Sequence, residues 1–185
     1  MSSDAPASPP ADQQDISVPS LIGVGLLTRL MIDTGVKIFF PFLPILAPGM
    51  GVTRAALGRL IGLRSFMGLF SPLFGIAADR RGYRSVMQVA LLLAGLGYIV
   101  IGASRNFWMT LTGMILAGLG AFAFTPTLQA YLSARLPYAR RARGLGILEY
   151  AWALSGIVGL FAAGLLIEAT SWRMPFYIFG GFLVL

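Results

Sequence analysis

Five stretches of roughly 20 to 30 predominantly apolar residues, separated by turns of a few residues, restrict what this chain can fold into. A hydrocarbon core about 30 Å thick is crossed by about 20 residues of α-helix, and every stretch reaches that length. No water is present there to satisfy backbone N–H and C=O groups, so such stretches must be helical. The expected spans are 18–47, 54–78, 85–104, 107–134 and 143–167. A sixth, 173–185, holds about 13 residues, too few to cross, and is expected to be an incomplete helix. Residues 1–17 are rich in Ser, Pro, Ala, Asp and Gln without apolar periodicity, and read as a disordered tail. The first apolar run lacks a basic flank and is too long for a signal-peptide core, so it is read as a retained helix. The expected fold class is therefore an all-α integral membrane protein, a six-helix bundle over 18–185 whose sixth helix is truncated.

Composition decides between membrane and solvent. With 57% hydrophobic residues, 11% charged residues and a mean hydropathy of +0.80, the chain is too apolar to cover a soluble core with polar surface. The excess of 14 basic over 7 acidic residues does not read as a nucleic-acid surface, because the arginines sit in short turns between apolar runs rather than on one polar face. The absence of Cys and His removes disulfides, thiol chemistry and the common metal and nucleophile-base sets, and no serine has a recognisable nucleophile setting. The chain is expected to be neither an enzyme nor a metal or cofactor protein.

The basic residues also set an orientation. Arg80, Arg81 and Arg84 occupy the turn after the second span, and Arg135, Arg140, Arg141 and Arg143 the turn after the fourth. The opposite turns hold only Arg54, Arg105 and Arg173. The arginine-rich side, with the N-terminal tail, is expected to be cytoplasmic.

Four basic residues fall within or at the edge of spans: Arg29, Lys37, Arg59 and Arg64. A charge at mid-bilayer costs roughly 2.5–3.5 kcal/mol on insertion scales unless paired or wet. Arg59, near a helix end, can snorkel to the interface. Arg29, Asp33 and Lys37 recur every four residues and so share one stripe of a helix, with the carboxylate between two cations. Counted from Ser20, Arg29 and Asp33 lie roughly 14 and 20 Å along the first helix, near the bilayer centre. The stripe is expected to face a polar cavity completed by Arg64, Gln129, Glu149 and Tyr150, with Tyr131 a further companion. One reading makes this cavity a site for a substrate or a proton; the other makes it an ion-pair network that fixes packing.

The most specific motif is Gly75-Ile-Ala-Ala-Asp79-Arg80-Arg81-Gly82-Tyr83-Arg84 between the second and third spans. Gly75 would let a neighbouring helix approach, Asp79 would accept hydrogen bonds from a helix N-terminus, and Gly82 would permit a tight reversal. The stretch resembles the signature loop of the major facilitator superfamily, with Tyr83 where a basic residue is usual. The resemblance extends over 18–185. Gly35 followed by Pro41-Phe42-Leu43-Pro44 is similar to the end of the first span in the family's twelve-span drug and small-molecule antiporters. Gly118 and Gly120 resemble its fourth-span glycine pair, although Met114 stands where that motif has an arginine linked with proton coupling. Gly146, Ser155, Gly159, Ala163 and Gly164 follow its fifth-span antiporter motif, with Leu160 in place of proline. Small residues such as Gly118, Gly120, Gly159 and Gly164 are expected to serve close helix packing.

The resemblance implies the N-terminal half of a secondary transporter of small molecules. It would work by alternating access in the cytoplasmic membrane, with proton-coupled efflux one form of that activity. Gly75, Asp79, Arg80, Gly82 and Arg84 would form its cytoplasmic gate, and Arg29, Asp33 and Lys37 would line its central cavity. The implied partners are the bilayer, a substrate, and either a C-terminal six-helix half or a second copy of the chain. The alternative is a non-transporting scaffold or partner-binding subunit that retains one half of the fold. The orientation is checked against a background free of cysteine. In intact cells a membrane-impermeant thiol reagent is expected to label Thr170→Cys, and to reach Ala142→Cys only after permeabilisation; the reverse pattern would invert the topology.

Overall fold

The computed structural model describes residues 18–185, with side chains from Leu21 onward; the expected N-terminal tail, 1–17, lies outside the described residues. All regular elements among the described residues are helical. In order they are α1 (Val18–Lys37), α2 (Phe39–Gly49), α3 (Arg54–Ser65), a 3₁₀ turn (Phe66–Phe70), α4 (Ser71–Arg81), α5 (Tyr83–Ala103), α6 (Phe107–Arg135), α7 (Tyr138–Leu154), a π-helical turn (Ser155–Gly159), α8 (Leu160–Ala169) and α9 (Met174–Val184).

Four continuous helical runs are long and apolar enough to cross a membrane: Arg54–Arg81, Tyr83–Ala103, Phe107–Arg135 and Tyr138–Ala169. The first pass, expected as one span over 18–47, is not one straight helix. It is broken into α1 and α2, which meet at 61°. Pro41 accounts for the break. It has no N–H for the Lys37 carbonyl, and its ring crowds that carbonyl, so the ladder cannot continue straight through Ile38. Gly35 lies one turn before the bend, against the ring of Tyr98; a Cβ there would lie 2.5 Å from the ring carbon Cζ. The fully buried Tyr98 donates its hydroxyl to the Ile32 carbonyl at 2.8 Å and so fastens α1 to α5.

Small residues set the closest helix contacts. In a bilayer, lipid tails compete equally for apolar side chains, so helices associate through close van der Waals fit. A Cβ at Gly113 would lie 2.9 Å from the Ile101 nitrogen, and one at Gly120 would lie 2.5 Å from the Ala90 carbonyl oxygen, so α6 runs almost backbone to backbone along α5. Gly95 and Gly180 do the same for α5 and α9, each approaching the other's carbonyl. Phe39, Tyr98, Trp172, Phe176 and Phe179 fill the space between α2, α5 and α9 with tilted and edge-on ring contacts 5.5–6.4 Å apart.

The turns sort into two ends. Gly51, with φ +69°, abuts the Arg105 carbonyl, and Arg173 donates to the Gly102 carbonyl, which brings together the turns that carry Arg54, Arg105 and Arg173. At the other end Tyr83 lies 6.2 Å from Tyr131, joining the turn after α4 to the foot of α6. An alanine at Gly120 is expected to lower stability by about 1–3 kcal/mol through overpacking. Gly58→Ala, where nothing lies within 4 Å, is expected to be neutral or stabilising by up to roughly 1 kcal/mol. Thermal unfolding of both variants in one detergent checks the contrast.

Candidate functional site

The charged stripe of α1 is turned inward against α7. Arg29 is 5% exposed and grips Glu149 with both terminal nitrogens, Nη1 to Oε1 at 2.8 Å and Nη2 to Oε2 at 2.9 Å. This is the bidentate geometry that the planar guanidinium favours. Gln129 of α6 donates to the same Glu149 Oε1 at 2.9 Å, so three passes meet on one carboxylate. Arg29 Nε lies 3.5 Å from Asp33 Oδ2.

Lys37 does not join Asp33 in the arrangement expected from sequence. Its ammonium donates to the Ser155 hydroxyl at 2.9 Å and to the Trp152 carbonyl, and it lies 3.7 Å from the centre of the Trp152 ring. The π-helical turn makes this possible. Where the ladder passes from α-helical to π-helical spacing, a carbonyl is left open to an outside donor, and the Ser155 hydroxyl also donates to the Trp152 carbonyl, at 2.7 Å. Small residues of the turn and of α8 admit α1 and α2. A Cβ at Gly159 would strike Thr34, and one at Gly164 would lie 3.2 Å from the Phe42 ring.

Beside this cluster lies a cavity of about 360 Å³ whose lining includes Arg29, Asp33, Arg64, Gln129 and Trp152. Arg64 enters from α3 and is 8% exposed. Its stem rests on Gly118, where a Cβ would lie 2.8 Å from Arg64 Cγ, so that glycine seats an arginine rather than a helix backbone. Pro126 of α6 leaves the Phe122 carbonyl without its helical donor, and the Ser71 hydroxyl donates to it at 3.4 Å. Tyr150 stands apart from the cluster. It is 67% exposed, because one helical step of about 100° carries it away from the face that holds Glu149.

The loop between α4 and α5 occupies the arginine-rich end. Gly82 adopts φ +88°, which any other L-residue would strain to reach. Asp79 accepts a hydrogen bond from the Tyr83 hydroxyl at 3.2 Å, and Arg84 Nε donates to the Tyr131 hydroxyl at 3.2 Å. Tyr131 thus belongs to this end and not to the cavity. Arg135 lies over the Tyr131 ring, 4.7 Å from its centre. Arg80 is exposed and makes no ion pair among the described residues. Gly75 and Asp79 share the wall of a hollow of about 280 Å³ between α4 and α6, and a Cβ at Gly75 would meet nothing within 4 Å. The close approach expected at Gly75 is not made by any described element of this bundle.

The family model described as Major Facilitator Superfamily matches residues 25–185. The chain belongs to the major facilitator superfamily. Its fold is accordingly an all-α membrane bundle of the major facilitator type, and the family's members are transporters rather than enzymes. YwfA of Bacillus subtilis strain 168, described as an uncharacterized MFS-type transporter, is 28% identical over 142 residues, which cover 75% of this chain and 34% of YwfA. The multidrug resistance protein MdtG of Escherichia coli is 28% identical over 155 residues, covering 80% of this chain and 38% of MdtG. The chain thus spans a little over a third of the length of these curated relatives. Within this major facilitator bundle Met114 is packed in the core at 1% exposure, and the aliphatic stem of Arg64 crosses α6 at Gly118, one helical turn along.

Sequence reasoning found Arg29, Asp33, Gln129 and Glu149 from their placement in apolar runs. It missed Trp152 and Ser155 as partners of Lys37, since neither a carbonyl acceptor nor a π-helical turn has a residue signature. A double-mutant cycle of Arg29→Gln and Glu149→Gln is expected to give a coupling of about 1–3 kcal/mol by thermal unfolding. Additive effects would mean that the pair contributes nothing.

Proposed function

We propose that the chain is the N-terminal six-helix half of a secondary transporter that exports small molecules by alternating access, driven by protons. The observation that carries this reading is the open, charge-lined cavity between α1, α3, α6 and α7, into which the buried Arg29 and Arg64 face. Ionisable groups held within membrane helices characteristically mark transport paths, and transporter sites lie near the midplane between two bundles. MdtG, by its name a multidrug resistance protein, supports an export direction.

Within the cavity the two carboxylates are held differently. Both oxygens of Glu149 are engaged by Arg29, whereas Asp33 has a single 3.5 Å contact with Arg29. Asp33 is therefore the group assigned to exchange a proton, and the Arg29–Glu149 pair the brace that positions it. Lys37 anchors the stripe to the π-helical turn.

The gate is assigned to Gly75, Asp79, Arg80, Gly82 and Arg84. The hollow beside Gly75 has room for the end of a helix from a second bundle, whose positive N-terminus would meet Asp79. That bundle is either a C-terminal half of the same protein or a second copy of this chain. The wide apolar faces of α4 and α8, exposed at Leu73, Ile76, Phe161 and Leu165, suit such a partner and the surrounding lipid. We assign the arginine-rich end to the cytoplasmic side of the inner membrane. The buried Met114 favours one competing reading, a scaffold that has lost coupling.

Transport in proteoliposomes with an imposed pH gradient separates these readings. Asp33→Asn is expected to abolish gradient-driven movement while substrate exchange continues. Asp79→Asn is expected to slow both by roughly fivefold or more, with membrane insertion unchanged. Gradient-driven rates equal to the unaltered protein's would remove Asp33 from the proton path, and no movement of any test compound by the unaltered protein would favour the scaffold.

A further inference from the structure

The charges around the cavity do not balance, and the imbalance lies at one residue. Arg29 is paired with Glu149 and Asp33, and Lys37 is held by a hydroxyl, a carbonyl and an aromatic face. Arg64 has neither kind of support. It is 8% exposed, its Nε is buried without a partner, and among the described residues it makes no hydrogen bond or ion pair. The three cations of the group face two carboxylates, and both carboxylates lean on Arg29. A guanidinium in this setting keeps its charge, and the acceptor that compensates it best is an oxyanion.

The space beside it is shaped for one. The cavity of about 360 Å³ falls in the range of small-molecule sites. Its wall joins Arg64 to apolar surface from Ile32, Val36, Phe122 and Trp152. We infer that the cavity binds a small organic anion, its carboxylate, phosphate or phosphonate group on the Arg64 guanidinium and its apolar body against Trp152 and Phe122. A cationic compound would add a fourth positive charge to a group already in excess, and a neutral one would leave Arg64 uncompensated. Gly118 serves the same end, since a side chain there would displace the arginine stem. This inference rests on the reading of the cavity as the substrate chamber.

The test is an equilibrium titration of the purified protein in lipid nanodiscs, with three probes of similar shape: benzoate, benzamide and benzyltrimethylammonium. Trp152 on the cavity wall reports binding by its fluorescence, and Trp152→Phe identifies its share of the signal. Benzoate is expected to quench saturably, and the neutral and cationic probes to bind at least about tenfold more weakly. Arg64→Gln is expected to weaken benzoate by about tenfold or more while leaving benzamide unchanged, and Arg64→Lys, which keeps the charge if the glutamine variant fails to fold, to fall between. Equal binding of benzamide and benzoate would overturn the inference. So would benzoate binding unaffected by either Arg64 variant, or no benzoate binding at all, which is the result if a carboxylate from a second bundle already neutralises Arg64. Proteoliposome transport separates the two readings. Benzoate that binds through Arg64 but never crosses refutes the transporter and leaves the anion site standing. Transport of neutral or cationic compounds, undiminished in Arg64→Gln, refutes the anion site alone.

Discussion

Three ionisable side chains at four-residue intervals on α1 have no place in hydrocarbon, and the arrangement around them follows from that. Their stripe must be covered, so α1 presses against α7. The contact is made by a bidentate arginine–carboxylate pair, which fixes both distance and rotation because two parallel hydrogen bonds tolerate little twist. Glu149 lies on α7, Gln129 on α6 reaches the same oxygen, and Lys37 needs an acceptor two turns further on. Each requirement removes a freedom of the neighbouring helix. Glycines at 156, 159 and 164 then let the chain of α7, π-helical turn and α8 lie along α1 and α2.

A second constraint, independent of charge, holds the other side of the bundle. Between α5, α6 and α9 the contacts are made by missing side chains: Gly95, Gly113, Gly120 and Gly180 bring backbone to backbone. Along these glycine contacts the side relies on shape, with the Arg84–Tyr131 hydrogen bond at its foot. One face is thus adhesive through electrostatics and the other through fit, with α6 shared between them. Tyr98 ties the two sides together through its hydrogen bond to the Ile32 carbonyl, and α6 also carries Pro126 and the seat for Arg64.

Much of this architecture is legible in the amino-acid sequence, and the reasons for what is not are specific. Apolar run length places the crossings, since thickness and helical rise fix it. The inward turn of Arg29 and Asp33 follows from the cost of exposing them to lipid, whereas Glu149 meets Arg29 with its own side chain 55% exposed. The bend at Ile38 is written in Pro41, whose missing donor leaves the Lys37 carbonyl unpaired, but a proline near a helix end is also compatible with a straight termination. Tyr150 falls outside the cluster because adjacency in sequence is a 100° rotation in a helix. Gly58 and Gly120 look alike in sequence. One faces open space and the other touches a backbone, and only the neighbouring helix distinguishes them. Gly75 is the converse case: a motif legible at once, whose contact no described residue supplies.

The bend in the first pass has a mechanical meaning. With 11 residues, α2 is about 16 Å long, and its inclination of 61° to α1 displaces its far end sideways by about 14 Å. The pass is therefore a crank rather than a rod. A turn of about 10° of α1 about its own axis would sweep the far end of α2 through roughly 2.5 Å, and the contacts by which Arg29 and Lys37 hold α7 are what resist it. That end carries Gly49 beneath the Trp172 indole. Rearrangement of charge at the middle of the membrane thus has a lever arm to its far surface, built from nothing more than a proline placed four residues after a lysine.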